Sequence, residues 1–258
     1  MNNLEYPSAA EPAPEAAGLS QWQRVTNTFT APSKTFEDIK RGHKSWWLPF
    51  LIMILAGAVL YLAITEKVTW GQVYENQQRE MPEFARHMME QQPPEVRAAA
   101  DARGPMNQAV TWALSPLGIL IMNLISAGVL LGTINFGFGG KAKFSSILAV
   151  TFYAGLVYWP LRLLLATIPI LLGAAPEAFN IANPAPTNIG AFLVKQETPA
   201  ALYSLATGVD PLFIWCLVLT SIGVATVAGV KRKSGYIAVF GWWVLVLIIS
   251  VAAAAAMG

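Results

Sequence analysis

Charge is what this sequence has least of. Only 12% of its residues are Asp, Glu, Lys or Arg, roughly half the share of a soluble domain. Cysteine is almost missing too: the single thiol, Cys216, lies in an apolar run, so no intramolecular disulfide framework is possible. The first 45 residues hold no apolar block resembling a signal-peptide core. Insertion is therefore expected to begin with the first hydrophobic helix, which stays in the mature protein. A net charge of +2 offers no footprint for nucleic acid, and there is no soluble-type strand pattern or convincing internal repeat. What the chain has in quantity is apolar surface, 55% of its 258 residues.

These properties predict an all-α membrane protein, a bundle of five transmembrane helices with short amphipathic surface helices at the N-terminus. Residues 1–18, rich in Ala, Pro and Glu, have little to bury and read as a disordered tail. Residues 19–45 read as two cytoplasmic amphipathic helices. Leu19, Trp22, Val25 and Phe29 recur at helical spacing in the first. The second begins near Pro32, has Thr35 and Asp38 at capping-box-like spacing, and stops at Gly42. Trp22, Val25 and Phe29 are expected in the leaflet, with Arg24 and Lys34 at the headgroups. Trp46 and Trp47 mark the interface of the first span.

The membrane domain is expected over 46–257, with spans at about 46–65, 116–136, 145–172, 211–230 and 236–257. The external loop 66–108 would hold one or two exposed helices broken near Pro93 and Pro94. The third apolar stretch exceeds the ~30 Å core and contains Pro160 and Pro169, so a kink or tilt is expected. A short helix should start after Thr198-Pro199 and end at Gly208.

Basic residues give the orientation. Arg24, Lys34, Lys40, Arg41, Lys44, Lys141, Lys143, Lys231, Arg232 and Lys233 fall on one side, ten in all. Lys67, Arg79, Arg86, Arg97, Arg103 and Lys195 fall on the other, six in all. The positive-inside rule places the N-terminus in the cytoplasm and the C-terminus outside.

The entry segment Ala31-Pro32-Ser33-Lys34-Thr35-Phe36-Glu37-Asp38-Ile39, followed by Trp46-Trp47-Leu48-Pro49, resembles the start of a Yip-domain protein. The turn Gly139-Gly140-Lys141-Ala142-Lys143-Phe144, leading to Leu148-Ala149-Val150 and Tyr153-Ala154, is similar to the same family. So is Asp210-Pro211-Leu212-Phe213-Ile214-Trp215 with Leu219 and Gly223. The resemblance spans roughly residues 20–250 and implies five spans with a cytoplasmic N-terminus. Eukaryotic members of the family are linked to Rab GTPases and to vesicle traffic or Golgi membrane shaping. The Gly-Pro segment they carry in the first half of the domain is not found here. That departure points away from Rab binding and towards a prokaryotic relative in a bacterial cytoplasmic membrane.

Among single residues, Arg162 is the ionisable group deepest in a span, and such a residue is a functional candidate by default. Its long stem could also snorkel to the headgroups, or pair with Asp210, whose position before Pro211 is that of an N-cap. Gly128 and Gly132 form a GxxxG, echoed by Ala225 and Gly229, for which packing inside the monomer is preferred over a dimer seam. Glu83, His87 and Glu90 share a helix face, for which a solvated charged surface is preferred over a metal site. No HExxH, GxSxG or paired intramembrane aspartates occur, so no catalytic residues and no cofactor are expected. A non-enzymatic membrane-organising or trafficking-type adaptor is the favoured reading, and a small-solute or ion transporter or channel component is the alternative. The expected partners are the lipid bilayer and a further membrane or cytoplasmic protein, with self-association open.

Overall fold

The computed structural model describes residues 18–257, so the tail expected over 1–18 lies, apart from Gly18, outside the described residues. Among these, every regular element is helical. Two helices, α1 (Gln21–Thr30) and α2 (Pro32–Arg41), precede α3 (Trp47–Ala63). A loop layer of α4 (Trp70–Arg79), α5 (Glu83–Glu90) and α6 (Pro94–Ala113) leads into α7 (Ser115–Gly132). Then come α8 (Phe144–Gly155), α9 (Trp159–Leu171), the short α10 (Ala200–Gly208), α11 (Pro211–Ala228) and α12 (Arg232–Met257).

Among the described residues, five helical stretches are long and apolar enough to cross a membrane: Trp47–Val68, Ser115–Gly137, Phe144–Leu171, Pro211–Ala228 and Arg232–Ala256. Their number is the five expected from the sequence. The third bends where α8 gives way to α9, between Gly155 and Trp159. Pro160 just beyond has no N–H to continue the ladder. At Gly155 a side chain would collide with the Met53 methyl at 2.8 Å, so the bend also brings the third span against the first. The loop holds three helices where one or two were expected, because a break ending at Pro82 separates α4 from α5 in addition to the one at Pro93.

The spans are not equally enclosed. Over half of the α11 window is buried, 56%, against 11% for the last span. α11 is therefore the central helix, and α12 stands at the edge with most of its side chains open to lipid. Lys141 N–H donates to the Ala228 carbonyl at 3.1 Å, and Arg232 approaches Ser33 at 3.5 Å. Those contacts gather the two short basic turns and the N-terminal helices at one end, here called the basic end. The loop layer and α10 form the other, the loop end.

The core divides accordingly. The larger cluster, at the basic end, is built from α2, α8 and α11 around Phe36, Ile39, Val150, Phe152 and Tyr153, all fully buried. The smaller one joins α3 and α9 under the loop layer, around Leu60, Ile64, Leu163 and Ala166.

Candidate functional site

The first candidate lies where α1 and α2 meet the bundle. α1 begins at a capping box made by Ser20 and Gln23, whose side chains each bond the other's backbone N–H. α2 instead starts on Pro32 behind an Ala31 cap. Thr35 and Asp38, expected as a capping pair, are used otherwise. The Thr35 hydroxyl donates to the Arg24 carbonyl at 2.9 Å, and Asp38 accepts from Arg24 Nη1 at 2.8 Å. Arg24 and Asp38 are 4% and 2% exposed, so this is a buried ion pair.

The surrounding bonds satisfy what remains of both charges. Arg24 Nε donates to the Tyr153 hydroxyl at 3.0 Å, and Nη1 also reaches the Leu19 carbonyl at 2.9 Å. Asp38 Oδ1 accepts from Leu19 N–H at 3.1 Å and faces His43 Nδ1 at 3.1 Å. Tyr153 in turn donates to the Ser45 carbonyl at 3.0 Å, tying α8 to the entry of α3. Burial on its own raises the Asp38 carboxyl, but the bonds from Arg24 and Leu19 and the nearby cations outweigh it, and the net shift is downward. The Arg24 guanidinium moves up: burial opposes its charge, and the bonds to Tyr153 and Asp38 overcome that opposition.

This geometry corrects the picture of helices lying free on a leaflet. Val25 is buried against the bundle, and Arg24 points inward to Asp38 rather than to headgroups. Phe36 is wedged against Gly223, where any side chain would meet Val150 at 2.5 Å and the Phe36 ring at 2.9 Å. Trp22 and Phe29, 63% and 39% exposed, stay on the outward face, with Phe29 edge-on to Trp215 at 6.0 Å. Trp46 stacks on Phe152 at 4.6 Å, whereas Trp47 is more than half exposed. The reason is that an apolar stripe specifies burial but not what covers it. Here protein covers Val25, Phe36 and Ile39 and leaves Trp22 and Phe29 outward.

The second candidate is Arg162 on α9, half-buried and turned to the loop end. Its guanidinium donates to Asn183 Oδ1 at 3.1 Å and stands 5.7 Å from the centre of the Tyr158 ring. Asp210 is not its ion-pair partner. That carboxylate is buried and already engaged: it caps α11 by accepting from Leu212 N–H at 2.8 Å and Phe213 N–H at 3.3 Å, and it accepts from the Thr187 hydroxyl. The N-cap expectation for Asp210 therefore matches the geometry, and the pairing does not. Asn183, the partner of Arg162, is itself bonded to Asn188 through both amides.

Gly128 and Gly132 do not mediate packing within the described chain: a side chain at either would meet nothing within 4 Å. The close helix approach is made by Gly235, where a Cβ would lie 2.2 Å from the Ser221 carbonyl and 2.9 Å from Ala225. In the loop, His87 and Glu90 face each other at 3.5 Å and are well exposed. No group of three or more metal-type ligands occurs among the described residues.

The family model of the Yip1 domain matches residues 26–254, nearly the whole chain. The chain belongs to the Yip1 domain family. With five apolar helices of spanning length, this member is an integral membrane protein whose bundle lies in contact with lipid. The match begins inside α1 and runs into α12, so the docked N-terminal helices fall within the family's domain. No curated protein and no solved structure matches the chain significantly. Sequence reasoning missed the Arg24–Asp38–Tyr153 set. Its available signal was one charge on the apolar stripe of each helix: Arg24 beside Val25 and Thr28, Asp38 beside Phe36 and Ile39.

Proposed function

We propose that this chain is a non-enzymatic membrane-organising adaptor, a prokaryotic member of its family in a bacterial cytoplasmic membrane, with the basic end in the cytoplasm. The observation that carries the reading is the locked pair α1–α2. Held by the buried ion pair and Tyr153, it forms a fixed surface carrying exposed Trp22, Lys34, Lys40 and Arg41 beside the short basic turns. A preorganised surface of aromatic and cationic groups suits a protein partner or an anionic leaflet.

The ten-to-six basic asymmetry supports the orientation. Reporter fusions after Gly140, Ser234 and Gly258 are expected inside, inside and outside. A cytoplasmic C-terminus would overturn that topology.

A transport role has one observation in its favour, the cavity beside Arg162. Its lining residues, however, come from α9, the loop, α10, the start of α11 and the middle of α12, and none comes from α2, α3, α7, α8 or the basic turns. The adaptor reading predicts that proteoliposomes pass ions no faster than empty vesicles and that purified protein hydrolyses no ATP. A photocrosslinker at Trp22 should trap a protein partner in cells, and Asp38→Ala should abolish the trap. Solute flux that disappears in Arg162→Ala would replace this reading with transport.

A further inference from the structure

The cavity at Arg162 measures about 400 Å³. Its lining is part polar, with Arg162, Lys195, Tyr203 and Ser204, and part apolar, with Trp243, Val246 and Leu247. No carboxylate lines it among the described residues. Lys195 is shared with Glu80, 3.8 Å away, and also donates to the Glu80 carbonyl at 3.1 Å. Arg162 has no such counter-charge among the described residues. A guanidinium offers five N–H donors, and this one gives one bond to Asn183 while Nε is buried without a partner. The charge left over at the cavity is therefore positive, and it sits on the residue type best suited to grip a phosphate through two parallel bonds.

The apolar part indicates where an anion would come from. Val246 lines the cavity and is 57% exposed, and Ile248 and Ile249 next to it are 60% and 58% exposed. Through Val246 the cavity therefore reaches the exposed apolar surface of α12. We propose that this cavity binds the phosphate-bearing headgroup of an anionic membrane lipid, with its acyl chains lying along α12. The guanidinium takes the phosphate, Lys195 adds charge, the Ser204 and Tyr203 hydroxyls meet the polar headgroup, and Trp243 packs beside the glycerol region. A free phosphate would satisfy the cations but leave the apolar part unused. The inference does not depend on the adaptor reading and survives its failure.

The test uses purified full-length protein in detergent, titrated with phosphatidylglycerol and with phosphatidylcholine and followed by native mass spectrometry. Phosphatidylglycerol should bind at least about tenfold more tightly, and Arg162→Gln should lower its affinity by about tenfold, the effect of removing a charge-assisted contact. Inorganic phosphate at millimolar concentration should not displace the lipid. Should Arg162→Gln aggregate, Ser204→Phe, which fills the polar part and leaves both cations in place, should give a comparable loss. Equal binding of the two lipids, wild-type affinity in the variant that folds, or displacement by inorganic phosphate would each overturn the proposal, the last by marking a soluble-anion site.

Discussion

Two arginines, one at each end of the bundle, live in opposite electrostatic circumstances. Arg24 is 4% exposed and fully answered, with a carboxylate at 2.8 Å, a tyrosine hydroxyl at 3.0 Å and a carbonyl at 2.9 Å. Arg162 is half-buried, has one amide oxygen at 3.1 Å, and borders an open volume. A buried charge is tolerable when partners replace its hydration, and removing one partner then costs more than the pair contributes. The comparison separates a residue whose chemistry is consumed in holding the fold from one with donors to spare. Nothing about the two side chains themselves distinguishes them; their partners do.

The sharpest way to break the comparison is to orphan each charge in turn. Asp38→Ala leaves Arg24 buried without its carboxylate and should destabilise the protein by about 3–5 kcal/mol, read by thermal unfolding in detergent. Arg24→Met combined with Asp38→Leu should recover much of that loss, because apolar groups closer in volume to those they replace need no counter-charge. Arg162→Gln should shift unfolding by no more than about 1 kcal/mol, since no carboxylate is left behind. If Arg162→Gln were as damaging as Asp38→Ala, the division between the two arginines would fail.

Helix contacts offer a second, smaller contrast. Gly235→Ala pushes a methyl into the Ser221 carbonyl and Ala225, and overpacking of this kind costs about 1–3 kcal/mol. Gly128→Ala and Gly132→Ala meet open space and should be neutral or slightly stabilising, because alanine favours a helix over glycine. Parallel thermal melts of the three variants decide the point.

Much of the architecture was legible in the sequence because it rests on length and composition. Twenty-odd apolar residues bounded by basic turns specify a span whatever they pack against, and the five spans follow. The bend in the third span was announced by its excess length and by Pro160. What stayed hidden depends on pairs far apart in the chain. Arg24 meets Asp38 fourteen residues on and Tyr153 more than a hundred residues on. Helical spacing alone assigned Val25 to lipid and Arg24 to headgroups. The GxxxG pattern misled for a related reason: small residues permit close approach but do not supply the neighbour, and at Gly128 and Gly132 none is present. Arg162 was legible as an exception by its charge within an apolar run. Its asparagine partner was not, because Asn183 sits in an irregular loop with no periodicity to read.

Acid offers the finest probe of the basic end. The native Asp38 carboxyl lies below its ordinary value, so its ion pair contributes fully above the unfolded carboxyl range and is lost as pH falls through the depressed native value. Detachment of α1–α2 should therefore set in only below about pH 4, the unperturbed range of an aspartate, with the α8 amides still protected. Asp38→Asn should remove that dependence. Release of the helices near neutral pH would mean that the ion pair is not what holds them.

Whether α1 and α2 are part of the bundle is measured most directly by hydrogen–deuterium exchange of the full-length protein in lipid nanodiscs. Docking by Arg24, Asp38 and Tyr153 predicts that the amides of residues 24–41 exchange as slowly as those of α8 in the wild type, and far faster than those of α8 in Asp38→Ala. Fast exchange across residues 24–41 in the wild-type protein would contradict it and return these helices to the membrane surface.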